Sequence, residues 1–395
     1  MSKEKLWTKD FLIVSAINFL LTFVFYLFVV IIGVYAAETY QATPSQAGLV
    51  VGLFIVGALI GRLLIGRSID SIGRKRTLFI GIIAFILATT LYFVHFGIGF
   101  LLLNRFLHGL AFGVASTATG TIVAQIIPVS RKGEGIGYYS MSATLATAIG
   151  PFLGIMLNQH TDIHVIFSLC VIVAVLCLAT AFFVHVPTLD GEPLKPKGLN
   201  ISQFIEIRAL PIAIVTLVVA LCYSSVLSYI NFYAIELHLV SAASFFFLVY
   251  SIAVLASRPF TGRLMDAKGA NYVMYPAFVF FTIGLFMLGV THSSFILLLA
   301  GVLIGLGFGN MQSCTQAVAV KLTPSHRMGL ATSTFFIFLD AGLGFGPYLL
   351  GFIVPITGYA TLYTLLALVV ILAAGLYFLL HGKREMAVNH ALAHE

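Results

Sequence analysis

Long apolar stretches alternate with short polar breaks along the whole chain. Runs able to cross about 30 Å of hydrocarbon need roughly 20 helical residues each. By that measure the pattern predicts helices over 11–36, 47–68, 77–96, 99–127, 134–157, 163–186, 209–236, 244–264, 272–291, 294–321, 329–353 and 358–381, here spans one to twelve. The breaks between them fall into two alternating kinds. Lys3, Lys5 and Lys9 precede span one, and Arg67, Arg74, Lys75 and Arg76 follow span two. Arg131 and Lys132 follow span four, Lys195, Lys197 and Arg208 lie between six and seven, and Arg263 and Lys268 follow eight. Lys321 and Arg327 follow ten, and Lys383 and Arg384 follow twelve. The other breaks, near 37–46, 96–99, 158–162, 237–243, 291–294 and 354–358, contain neither Lys nor Arg. The positive-inside bias then predicts a multi-pass protein of the cell membrane with both termini cytoplasmic.

The polar positions also repeat. A shift of 196 carries Arg62 to Arg258, Gly66 to Gly262, Arg67 to Arg263, Asp70 to Asp266 and Gly73 to Gly269. The same shift relates Gly109 to Gly305, Gly113 to Gly309, Pro128 to Pro324, Arg131 to Arg327, and Gly150-Pro151 to Gly346-Pro347. A duplicated six-span unit explains this register, with both copies oriented alike. The longest polar stretch carries Pro187, Pro193 and Pro196 between spans six and seven. The expected division is therefore a bundle over 1–186, a cytoplasmic linker over 187–208, and a second bundle with a short tail over 209–395.

Composition sharpens the picture. Of 395 residues, 60% are hydrophobic and only 9% charged, against about 25% charged in ordinary soluble domains. The lipid bilayer is the natural surroundings. The net charge of +7 is accounted for by the basic breaks and calls for no nucleic-acid partner. The first run follows basic residues as a signal peptide would, but it is long and lacks a small-residue cleavage site, so a retained helix is expected. The four cysteines fall inside apolar runs without metal-like spacing, which predicts inert thiols and no metal site. No GxxxxGK[ST] loop and no Ser/His/Asp arrangement occurs, so neither ATP, another cofactor nor an enzymatic reaction is expected.

The loop Gly66-Arg67-Ser68-Ile69-Asp70-Ser71-Ile72-Gly73-Arg74-Lys75 resembles the signature of the major facilitator superfamily between helices two and three. Leu101 to Gly113, LLLNRFLHGLAFG, is similar to that family's fourth-helix pattern, with Arg105 at the arginine position and His108 where glutamine is usual. Ala146-x-x-x-Gly150-Pro151-x-x-Gly154 resembles the fifth-helix pattern of the family's drug:proton antiporters, departing at Ala146 and Ile155. The resemblance covers essentially the whole chain. It implies an all-α membrane protein of twelve helices in two six-helix repeats. It also implies a gating loop, made of Gly66, Arg67, Asp70, Gly73 and Arg74 with the repeat mate Asp266, in which the acid meets a helix end and a basic partner in one conformation. Those charges would also fix topology.

Interior charges stand out against this background. Asp340 is the only acid far from a predicted interface, about 18 Å along span eleven. It is either a proton carrier or a structural acid bonded to a neighbouring helix, since an ionised carboxylate costs at least about 2.5 kcal/mol there. Its repeat mate is Thr144. Arg105, mate of Gly301, lies a turn or two inside span four, sharing a face with His108 and Phe112. Arg105 either joins proton exchange or anion attraction, as the resemblance implies, or anchors the outer interface. His108 is either its protonatable neighbour or a satisfied interior histidine.

The family lines its cavity with helices one, four, seven and ten. In this chain those supply Asn18, Thr22 and Tyr26 on span one, Tyr223 and Asn231 on span seven, and Asn310, Gln312 and Gln316 on span ten. Few polar groups on aromatic and aliphatic walls suit a bulky, partly apolar solute. Gly150, Pro151, Gly346 and Pro347 would kink spans five and eleven. The expected protein is a monomeric secondary transporter exchanging protons for lipophilic or amphipathic small molecules. A proton-linked importer, or an exporter of one metabolite, is the alternative.

Overall fold

A computed structural model describes residues 5–42, 44–187 and 203–385. Lys3, most of the expected linker (Pro193, Lys195 and Pro196 to Lys197), and the tail lie outside the described residues. Among those described, all regular structure is helical. Twelve helices are long and apolar enough to cross a membrane: Lys9–Tyr40, Gln46–Gly66, Arg74–Phe93, Ile98–Ile126, Val129–Asn158, Ile163–Phe182, Leu210–Glu236, Val240–Lys268, Asn271–Gly289, Ser294–Lys321, Ser325–Gly351 and Val354–Glu385. These are spans one to twelve of the expected all-α architecture. Helices are what such sequences must form in hydrocarbon, where every backbone N–H and C=O needs a partner within its own segment.

Local chemistry sets several ends. Thr8 accepts from the Phe11 N–H at 3.2 Å to start span one, and Gln41 closes it in a left-handed conformation (φ 51). Asp162 caps span six and Ser293 caps span ten. Regularity breaks at two π turns, Gly305–Gly309 in span ten and Phe378–Gly382 in span twelve. The π turn over Gly305–Gly309 has no counterpart at its repeat mates Gly109 and Gly113, which lie in uninterrupted α-helix. The wound segment in span ten ends on the Gly309 carbonyl, which accepts from Arg258 at 2.6 Å.

The chain folds into two compact units. The first takes in Met1–Pro128, Ser142–Glu206 and Thr323–Ile337, and the second takes in Val129–Met141, Ile207–Leu322 and Phe338–Glu395. The basic-end portion of span five thus belongs to the second unit, and that of span eleven to the first. The exchange is itself two-fold, since these portions are repeat mates.

Close packing inside the first unit rests on small residues. Gly57 and Gly61 on span two face the backbone of Phe106 and Leu110, while Gly109 and Gly113 on span four face the backbone of Phe54 and Ala58. A methyl group at any of the four would overlap the opposite helix, so glycine at four-residue spacing permits this contact. Around the seam, Phe25 stacks on Phe54 and Phe112 with ring centroids 4.8 and 5.6 Å apart. All four cysteines are buried and free.

Candidate functional site

The first loop copy is built on a backbone feature. Ser68 to Ile72 makes one short helical turn that Gly73 terminates at φ 99, a conformation costly for any residue with a Cβ. That turn aims Asp70 at the start of span eleven. Its carboxylate accepts from the Gly329 backbone N–H and from Arg74 Nε at 2.8 Å, with Nη2 at 2.7 Å. Arg74 reaches further, to Gln125 Oε1 at 2.8 Å and the Ser325 carbonyl at 2.7 Å. Burial pushes the Asp70 carboxyl above its usual range, and the Arg74 guanidinium opposes that rise. Nearby, Arg67 lies over the Phe204 ring at 4.8 Å and Arg62 over Phe336 at 4.5 Å. Gly66 is pressed against Ser333.

The second copy, in the second unit, repeats the backbone but not the charges. Gly269 takes φ 98, matching Gly73. Asp266 accepts from the backbone N–H groups of Gly133 and Glu134, both at 2.7 Å. Those groups open span five, and Gly133 is the repeat mate of Gly329. An anion at a helix N-terminus meets unpaired donors and the positive end of the helix dipole. The basic partner is Lys321, with Nζ at 2.8 Å. Lys321 is the repeat mate of Gln125, while Ala270 stands at the mate of Arg74. Glu134 adds ion pairs to Arg263 at 2.8 Å and Arg131 at 2.7 Å. Arg258 is buried against span five, where it donates to the Ser140 hydroxyl.

The interior charges are differently placed. In the first unit Arg105 and His108 are fully buried. Arg105 Nε donates to the Val50 carbonyl at 2.9 Å and Nη1 to the Tyr92 hydroxyl at 3.1 Å, with the guanidinium 4.6 Å from the Phe54 ring centre. The other terminal nitrogen, Nη2, has no hydrogen-bond partner. Tyr92 also meets His108 Nδ1 at 3.0 Å, and His108 Nε2 meets Thr89 at 3.2 Å. Tyr92 therefore joins the two residues into one chain that could pass a proton between imidazole and hydroxyl. Sequence reasoning missed Tyr92, because it lies on the preceding span and only folding brings it to Arg105. Asp340 is half-buried in span eleven and belongs to the second unit.

The expected cavity residues separate in kind. Asn18 is buried and donates to Ser142 at 2.8 Å, Thr22 is buried, and Tyr26 is half-buried beside Gly150. Tyr223 stacks on Phe308 with centroids 4.0 Å apart, whereas Asn231 is exposed near the far end of span seven. Asn310 is engaged on both sides of its amide, donating to Ser257 and the Leu306 carbonyl and accepting from Thr261. Gln312 is half-buried and Gln316 buried. Gly150 and Pro151 bring span five against Tyr26 and Leu27 of span one, and Gly346 and Pro347 bring span eleven against Ser224 and Leu221 of span seven. No group of three or more His, Cys, Asp or Glu among the described residues could hold a metal ion.

Comparison with known proteins adds a family. The model of the Major Facilitator Superfamily matches residues 14–340 and 240–393. An uncharacterized MFS-type transporter of Methanocaldococcus jannaschii is 26% identical over 337 residues, covering 83% of this chain and 86% of that protein. The staphylopine export protein of Staphylococcus aureus is 22% identical over 360 residues, covering 86% and 88%. Among solved structures, the human organic anion transporter MFSD10 (TETRAN) shares the fold with a TM-score of 0.77 at 15% identity, over 93% of this chain and 98% of that one.

Proposed function

The chain belongs to the Major Facilitator Superfamily and is a multi-pass membrane transporter, and from that premise we propose that it exports lipophilic or amphipathic small molecules in exchange for protons. The observation that carries this reading is the carboxylate of Asp340, twelve residues past Met328, where the α-helix of span eleven begins, at a position where the repeat supplies only Thr144. A carboxyl at that depth is costly when ionised, so taking up and releasing a proton is its natural chemistry. The buried Arg105–Tyr92–His108 chain is a second group through which proton binding can be felt. Export, as opposed to uptake, is favoured by the likeness to the staphylopine export protein. The aromatic surroundings of Tyr223 and Tyr26 suit an amphipathic solute.

In the same reading the two loops are latches for alternating access. Each carboxylate holds the N-terminus of a span and lets it go when the face opens, biasing two states of nearly equal energy. The basic loops lie in the cytoplasm with both termini, and the bilayer is the cell membrane. A second reading, export of one anionic metabolite, is favoured by the unpartnered Arg105 Nη2.

Flux tests both. Proteoliposomes carrying the protein are given an imposed proton gradient and offered ethidium, anilinonaphthalene sulfonate or a neutral dye. Accumulation of the cation or the neutral dye that follows the gradient supports proton-coupled export of amphiphiles. Accumulation of the anion alone supports the second reading, and flux indifferent to the gradient removes proton coupling.

A further inference from the structure

The second unit holds a cavity of about 670 Å³ at its basic end, between the starts of spans seven and nine and the ends of spans eight, ten and twelve. Its lining is of two kinds. Met265, Val318 and Leu380 give apolar walls, while Arg208, Lys321 and Arg384 bring three cations. All three cations are exposed and sit at span termini, the level at which lipid phosphates meet protein. The one carboxylate among the described lining residues, Glu385, is already committed. It accepts from the Ala270 and Asn271 N–H groups at 2.6 and 2.8 Å, closing the N-terminus of span nine. Among the described lining residues three cations and one carboxylate thus stand beside apolar wall, in a volume typical of small-molecule sites.

We propose that this cavity binds an anionic phospholipid, with its phosphate on Arg208 and Arg384 and the beginning of an acyl chain against Met265, Val318 and Leu380. Guanidinium forks match phosphate oxygens in pairs. A free phosphate would meet the cations and leave the apolar wall uncovered; a zwitterionic lipid would cover the wall and bring its own cation to the arginines. Lys321 belongs both to this lining and to the Asp266 ion pair. A bound headgroup therefore sits against the carboxylate that holds the start of span five, and lipid composition gains a handle on the second latch.

Native mass spectrometry of the full-length protein in detergent tests the site. The protein is titrated with short-chain phosphatidylglycerol, short-chain phosphatidylcholine, or inorganic phosphate. Phosphatidylglycerol is expected to bind about tenfold or more tightly than phosphatidylcholine, and to bind about tenfold more weakly to the R208Q/R384Q double variant. Leu380→Trp, which fills the cavity without removing charge, is expected to weaken it as well. Equal retention of the two lipids, displacement of the lipid by phosphate at matched concentration, or unaltered binding by both variants would overturn the proposal.

Discussion

In the loop after span two the cation is the deeper partner. Arg74 keeps 2% of its side-chain exposure and Asp70 16%. In the loop after span eight the order reverses, with Asp266 at 10% and Lys321 at 32%. Backbone features are shared, namely the positive-φ glycine and the helix start opposite the acid. The basic partner has moved from the Arg74 position to the Gln125 position of the repeat, where Lys321 stands. What the duplicated unit requires is a carboxylate at a helix N-terminus; which side chain balances it is free to change. The consequence is energetic. Removing the acid strands a buried guanidinium in one copy and exposes a lysine to water in the other.

The largest effect is therefore expected from Asp70→Ala, which leaves Arg74 buried without its counter-charge at a cost of about 3 kcal/mol. The apparent Tm, read at one heating rate because unfolding of such a protein is kinetically controlled, should fall accordingly. Adding Arg74→Leu should recover much of the loss; failure of this rescue would show that the pair is not what Asp70 serves. Asp266→Ala is expected to cost about 1–2 kcal/mol, the value of a helix cap. Lys321→Gln should cost less than about 1 kcal/mol, as for partly exposed ion pairs. Equal losses for Asp70→Ala and Asp266→Ala would erase the distinction between the copies.

The smallest expected effect is a pH dependence of the first copy. Because burial raises the Asp70 pKa above 3.8, protonation favours the buried arrangement. That contribution is complete below 3.8 and is lost as pH rises through the raised value. Thiol labelling of an Ile72→Cys variant, divided by its thiolate fraction, which alone rises about tenfold per pH unit below the thiol pKa, should quicken with rising pH in this window, against a low background from the four buried native cysteines. The same variant carrying Asp70→Asn should show a flat profile after the same division.

Much of this fold could be read from the chain because hydrocarbon imposes a simple rule on it. All twelve spans follow from apolar length, and even the expected start of span twelve at 358 coincides with Gly358, whose φ of 74 interrupts the helix. The exchange of span five and eleven segments between compact units was not legible, because hydropathy records burial and says nothing of which neighbour provides it. Nor was the π turn over Gly305–Gly309, since its mates Gly109 and Gly113 have the same glycine spacing in ordinary α-helix. At the candidate site the 196-residue shift already paired Asp70 with Asp266. Applied to Gln125 and Gly133 it would also have pointed to Lys321 and Gly329. Tyr92 and Ser140 carried no such signal, since they meet Arg105 and Arg258 only through packing.

The measurement closest to the central claim compares wild-type protein and Asp340→Asn in proteoliposomes, with gradient-driven accumulation and gradient-free exchange of the same dye read side by side. A proton carried by Asp340 predicts that the variant loses accumulation and keeps exchange. Accumulation by the variant at the wild-type level would contradict the account and move proton binding to the Arg105–Tyr92–His108 chain.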